Sequence, residues 1–457
     1  MKISHFNKFI FIALFLAIFF ITCKEEENSG GDDYAIVSVS AEGAPTTKLI
    51  FSVNDDQLVL TEDDIKINAV FPVIKGKLSK ISFKTYELLI TPGGTGTVKV
   101  GLDPYRGFTG WNAKNASVSA LWHFSGTEKL TITNCTKSGD SLSIPERLPE
   151  TDGFPVTAIG YRALYNKRLT EVTIPDTIEL IGDSSFALNQ LPKIKIPSGV
   201  NTIGSTAFAY NQLSEIEIPN SVTGIGSGAF GYNLLSEVTI PEKVTAIRSS
   251  VFAYNRLTNI YFKGKITSIG DDAFAYNKIN DVTIPESVIS IGNGAFGNNN
   301  LKNININDNI SFLSGFNNNE LTKVRIPNTV TAIGNNAFSY NQLTEIDIPN
   351  SVKTIGSNAF SHNNLTRVKI SDRMTDIGYK AFANNELSQI ELHDNIKNIE
   401  IHAFMDNPMT SITIGADVTL GTSSFGDDFE NAYNIKYKRA KGTYTRTDTE
   451  SKIWTKE

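Results

Sequence analysis

The sequence predicts a mainly β protein: a stack of about twelve coils of 22 residues with caps, preceded by a small β-sandwich. Three observations predict it. Phenylalanine occupies positions 186, 208, 230, 252, 274, 296, 316, 338, 360, 382 and 404, a spacing of 22 broken once by 20. Each is followed three residues later by asparagine: Asn189, Asn211, Asn233, Asn255, Asn277, Asn299, Asn319, Asn341, Asn363, Asn385 and Asn407. Upstream, between 34 and 113, apolar residues alternate with polar ones, as half-buried strands require.

Residues 1–22 read as a signal peptide. Lys2 and Lys8 precede a run of thirteen apolar residues from Phe9 to Ile21. A membrane-spanning helix needs roughly 18 or more, so the run fits a cleavable leader. Cys23 stands at its end, and residues 23–33 continue as Lys24-Glu25-Glu26-Glu27 and Gly30-Gly31-Asp32-Asp33, too polar to bury a core. This boundary resembles the lipobox of bacterial lipoproteins, whose cysteine is acylated and tethers the protein to a membrane. Phe20-Ile21-Thr22 lacks the usual leucine and small residue, and is similar to the relaxed lipoboxes of spirochaete lipoproteins. The other cysteine, Cys135, reads as a small buried hydrophobe.

In 34–113 the alternations are Leu49, Phe51 and Val53; Ile65 and Ile67; Tyr86, Leu88 and Ile90; and Val98, Val100 and Leu102. Turn residues such as Pro92-Gly93-Gly94 separate them. With Thr61-Glu62-Asp63-Asp64 ahead of a strand, the region resembles the bacterial Ig-like domains that precede repeats in surface lipoproteins. Residues 114–155 have strand-like segments, Leu130-Thr131-Ile132-Thr133 and Leu142-Ser143-Ile144, without the full repeat. A first coil would expose its core, so this stretch is expected to be a cap, with Trp122, His123 and Phe124 serving it.

The array is expected over 156–415. In the coil from Ser221 to Pro241, Leu235-x-x-Val238-x-Ile240 has the form of a short strand with alternate residues inward, and Val222, Ile225 and Phe230 enter the core from the opposite wall. One coil cannot hold itself together: burying five or six large apolar side chains contributes about 10–18 kcal/mol, against about 20–40 kcal/mol for ordering 22 backbones. Stacking supplies the rest. Asparagine at the turn can satisfy backbone groups that no ladder pairs, and its recurrence predicts a buried amide row. Proline at 175, 197, 219, 241, 285, 327 and 349 closes strands. The unit Asp308–Pro327 lacks two residues before Phe316 and is expected to bulge or bend the stack. From 416 to 457 the pattern decays through Phe425 and Phe429 to Tyr444 and Trp454, a C-terminal cap with a hairpin.

The coil is similar to the BspA-like leucine-rich-repeat surface proteins, whose units read I-P-x-S-V-x-x-I-G-x-x-A-F, here Ser221-Val222, Ile225-Gly226 and Ala229-Phe230. One departure is a link one residue shorter after the phenylalanine turn, carrying Asn where the family usually has Cys, often after Tyr (Tyr210, Tyr232, Tyr254, Tyr276, Tyr340). The resemblance implies a leucine-rich-repeat solenoid and a non-enzymatic, lipid-anchored envelope protein, exposed on the outer membrane. Its expected partners are proteins of the host or of a neighbouring cell, extracellular-matrix components among them. The alternative is a spacer lipoprotein of the envelope without a specific ligand.

A net charge of −6 without a basic run argues against nucleic acid, which needs clustered Lys and Arg. No HExxH, P-loop, GxSxG or zinc-ligand spacing occurs, and His362, His393 and His402 fall at different coil positions, so neither metal nor cofactor is expected. Outward strand positions are the candidates for contact: Lys193, Lys195, Tyr261, Lys323, Arg325, Glu345, Asp347, Arg367 and Lys369. At a coil spacing of about 4.8 Å, Lys323, Glu345 and Arg367 should neighbour one another, as should Arg325, Asp347, Lys369 and Glu391.

Overall fold

In a computed structural model the described residues are the strands Ile36–Glu42, Lys48–Val53, Ile65–Asn68, Val73–Ser82, Thr85–Pro92, Gly96–Leu102, Lys114–Val118 and Trp122–Ser125, then 129–457 apart from 136–137, 140, 148–153 and 427. The expected signal peptide and tether, with Cys23, lie outside them, as do the side chains of Trp122, His123 and Phe124. The chain divides into two compact units, 1–121 with 150–152, and 122–149 with 153–457.

The first unit contains two antiparallel sheets. One has the order Ile36–Glu42, Lys48–Val53, Thr85–Pro92, Val73–Ser82; the other joins Ile65–Asn68, Gly96–Leu102 and Lys114–Val118. The last strand corrects the expected boundary at 113. Ala116 and Val118 continue the period-two alternation, and the strand pairs with Gly96–Val100 of this unit, so the cap begins at Trp122. Side-chain packing here lies outside the described residues, and the Ig-like reading remains a proposal.

The second unit is a β-solenoid. Trp122–Ser125 pairs antiparallel with Leu130–Cys135, and every later pairing along that wall is parallel, the mark of a chain that coils in one direction. Each coil contributes two residues to this wall, such as Thr202–Ile203 beside Gly224–Ile225, with the isoleucine inward and buried. Brevity follows from the next residue. At Gly226 an added Cβ would come 2.2 Å from Ser205 N and 2.4 Å from Gly204 C, so coils approach here through bare backbone. The wall's ladder is interrupted twice, between Gly224–Ile225 and Ala246–Ile247 and between Ser290–Ile291 and Phe312–Leu313. At both places the glycine is replaced, by Arg248 and Ser314. Glu400 replaces it as well, yet keeps the backbone bond to Ile377 O at 2.9 Å; we have no account of why that coil tolerates the side chain.

The core is a single column. Twelve phenylalanines from Phe186 to Phe425 stack ring on ring at centroid separations of 4.9–5.8 Å. Leu235, Val238 and Ile240 bury against it from the opposite wall, as the pattern requires. Where proline closes a strand, its carbonyl accepts the N–H three residues on, as from Val222 to Pro219 at 3.0 Å, a tight turn back to the first wall.

The two-residue deletion before Phe316 falls at the second break in the wall's ladder and leaves the column intact. Phe316 stacks on Phe296 and Phe338 at 5.5 and 5.8 Å. The change is absorbed at Gly315, whose φ of 95° is open to glycine and whose Cβ would meet Gly292 O at 2.5 Å.

Stacking runs past the expected end at 415, since Thr419–Leu420 still pairs parallel with Asn398–Ile399 and Phe425 covers Phe404. Phe429 then meets Phe425, Tyr444 and Trp454 edge-on at 4.9–5.5 Å, and all of these are buried. Gly442–Thr445 pairs antiparallel with both Ser411–Ile414 and Thr455–Lys456. That reversal closes the last open coil.

Candidate binding face

Each coil has a fixed corner and a variable wall, and the corner positions the wall. At Asn277, Oδ1 accepts the Leu257 N–H of the preceding coil at 2.9 Å, while Nδ2 donates to Phe252 O of that coil at 2.9 Å and to Phe274 O of its own at 3.0 Å. The same contacts recur at Asn211, Asn233, Asn255, Asn319, Asn341, Asn363, Asn385 and Asn407, and at Asn299 with Ile279 supplying the N–H. Asn189, over the first full coil, bonds Leu169 N and Leu164 O. The amides bridge backbone to backbone and do not bond to one another. All are buried except Asn407, which is half-buried beside the C-terminal cap.

Sequence reasoning missed the backbone just before this asparagine. Leu188, Tyr210, Tyr232, Tyr254, Tyr276, Asn298, Asn318, Tyr340, His362, Asn384 and Asp406 all have φ between 53° and 58°. Asparagine, aspartate and histidine adopt this left-handed region more readily than other side chains, so Asn298, Asn318, His362, Asn384 and Asp406 carried the signal. The tyrosines instead form an exposed row, with Tyr210, Tyr232, Tyr254 and Tyr276 stacked at 4.2–4.3 Å and Tyr340 on His362 at 4.2 Å. Desolvation, then hydrogen bonding to Tyr276 and Tyr232, pushes the Tyr254 phenol up to about 12.

The outward strand positions are all exposed. They gather over two open grooves. One, of about 1050 Å³, is lined by Glu171, Lys193, Lys195, Glu215, Glu217 and Glu237; the other, of about 810 Å³, by Lys323, Arg325, Glu345, Asp347, Arg367 and Lys369. Tyr261, half exposed, belongs to neither.

Register places Glu345 beside Arg367 and Asp347 beside Lys369. Of the expected neighbour pairs only Arg367 with Glu345 forms an ion pair, at 3.0 Å, and Arg367 also reaches diagonally to Asp347 at 2.8 Å. The hydrogen bond it donates to Asp347, and next that to Glu345, holds its guanidinium above the usual range. Arg325 turns the other way, to Asp308 at 2.9 Å, in the turn that follows the preceding strand. Among the described residues Lys193, Lys195, Lys323, Lys369 and Glu391 form no ion pair, nor do any three His, Cys, Asp or Glu cluster as metal ligands.

Comparison with known proteins agrees with this architecture. The BspA type leucine rich repeat region matches residues 157–280, 267–315 and 313–431. A leucine rich cell surface protein of Faecalibacterium prausnitzii is 27% identical, with a TM-score of 0.52, over 66% of this chain and 89% of that one. A leucine-rich repeat protein of Bacteroides ovatus (19% identity, TM-score 0.39, 68% and 91% covered) and the pneumococcal vaccine antigen PcpA (20%, 0.38, 66% and 83%) are more distant. No curated protein matches by sequence. The repeat, its parallel coils and this match over more than half the length make the chain a member of the BspA-type leucine-rich-repeat family.

Proposed function

We propose that this chain is a non-enzymatic, protein-binding lipoprotein of the cell envelope, held by an acylated Cys23 and facing outward, with its strand wall contacting proteins of a host or neighbouring cell, matrix components among them. The observation that carries the reading is the exposed wall of charged side chains over two open grooves, backed by a rigid column of buried phenylalanine. Such a surface offers many shallow contacts, which suits a protein partner and no small substrate. The description of the Faecalibacterium relative as a cell surface protein supports the outward orientation. Lys323, Lys369, Lys193 and Lys195 are the wall cations to engage a partner, since none is neutralised within the wall. The pairs that Arg367 makes with Glu345 and Asp347 favour a second reading, a spacer whose wall charges serve only strand register.

Two measurements separate these readings. Protease added to intact cells should cleave the chain, and full protection contradicts the adhesion reading. The full chain should bind at least one protein of a matrix panel, and Lys323→Glu/Arg325→Glu should weaken that binding; equal binding by the variant removes the second groove from the interface.

A further inference from the structure

The wall charges are ordered along the stack. Ascending the coils, the outward strand positions carry Glu171, then Lys193 and Lys195, then Glu215 and Glu217, then Glu237. Beyond Tyr261, Asp281 and an uncharged coil at Asn303 and Asn305 come Lys323 and Arg325, then Glu345 and Asp347, then Arg367 and Lys369. Sign alternates coil by coil through the upper groove and from Glu171 to Glu217 in the lower, where Glu237 repeats the negative sign; the lower groove is net acidic and the upper net basic.

From this order we infer that the strand wall pairs with the wall of a second copy of this chain, running antiparallel about a two-fold axis between the coils of Tyr261 and Asp281. In that register Lys193 and Lys195 face Glu345 and Asp347 of the second copy. Glu215 and Glu217 face its Lys323 and Arg325, and Glu171 faces its Arg367 and Lys369. The uncharged coil at Asn303 and Asn305 meets Glu237 and Thr239, and Tyr261 meets Asp281. A two-fold contact satisfies every such pair twice.

Other registers are poorer on charge. Sliding one coil in either direction sets Lys193 and Lys195 against Lys323 and Arg325, or against Arg367 and Lys369. A slide of two sets Glu237 against Glu345 and Asp347, or Glu215 and Glu217 against Asp281, and keeps fewer opposite pairs, such as Glu215 and Glu217 with Arg367 and Lys369 in the first case. Parallel walls in the same register oppose like with like; shifted by one coil they set Glu215 and Glu217 against Glu237 and make an open contact that no two-fold closes. Like charges facing one another disfavour a complex, so the alternation favours the alignment in which ten coils meet and no like charges oppose. The internal pairs of Arg367 and Arg325 are exposed and worth little, so they exchange readily for contacts across the interface.

Ten coils at about 4.8 Å, each presenting about 10 Å of strand, bury about 1,000 Å² over both copies, the lower limit for a specific interface. The pairing is therefore weak and salt-sensitive, and is effective where copies are concentrated on surfaces. Resting on the adhesion reading above, it makes the neighbouring-cell partner another copy of this protein, since antiparallel arrays present their first coils at opposite ends.

The test is sedimentation of the full chain in a nonionic detergent at low and high salt. Wild type should self-associate at low salt and dissociate as salt rises. Glu215→Lys/Glu217→Lys and Lys323→Glu/Arg325→Glu should each lose self-association by about tenfold or more. Mixed in equal amounts, the two variants should associate with each other, because both reversed sites then face opposite charge. Association through the apolar N-terminal segment is not weakened by salt and does not respond to these substitutions. Variants that self-associate like wild type, or a mixture that stays monomeric, overturn the pairing. If the pairing fails while matrix binding persists, the adhesion reading stands alone; if pairing holds and matrix binding is absent, only the matrix partner falls.

Discussion

The corner and the wall of this solenoid are made by the same coils and obey different constraints. At the corner, phenylalanine and asparagine recur in every coil from Phe186 to Asn407, with the same three hydrogen bonds and a continuous ring stack. On the wall, the outward pair changes from Lys193 and Lys195 to Glu215 and Glu217 one coil later, and its strands pair mainly two by two. A corner residue must fit a copy of itself above and below, so only one solution repeats. A wall residue meets solvent, and it is free to vary toward a partner. In a stack of identical coils, function is to be sought where the repeat is imperfect.

Substitutions that break this contrast should rank accordingly. Phe274→Ala removes a fully buried ring from the middle of the column and should lower stability by about 3–5 kcal/mol, read from thermal or denaturant unfolding. Asn277→Ala leaves Leu257 N without its acceptor and takes a donor from Phe252 O and Phe274 O, so a loss of about 1–3 kcal/mol is expected; an unchanged melting temperature would refute the corner's role. At the tyrosine position, Tyr276→Asn should change stability by no more than about 1 kcal/mol, with relief of left-handed backbone offsetting the lost ring contact with Tyr254. On the wall, Arg367→Ala breaks two exposed ion pairs and should leave the melting temperature unmoved while altering partner binding.

These unequal effects track what could be read from the chain. The column and the amide row were legible because a period of 22 marks them directly, and burial at that period admits only one arrangement. The direction of the amide's bonds, down to the preceding coil, was not, since composition says that an asparagine needs partners without saying which. The strand Lys114–Val118 and the continuation of stacking to Phe425 fell outside their units in the sequence reading, because each lies where the repeat is absent or decaying. Arg325 was assigned to Asp347 by strand order alone. It pairs instead with Asp308 in the turn after the preceding strand, a partner that strand order does not point to.

The most direct test of the contrast is native-state hydrogen exchange followed at single residues in the full chain. The Leu257 amide, held by Asn277 inside the corner, should exchange only through opening of the stack, and its neighbours Leu235 and Leu213 in equivalent bonds should match it. Fast exchange at these amides, at the rate of an exposed loop, would contradict a closed corner and leave the wall without its scaffold.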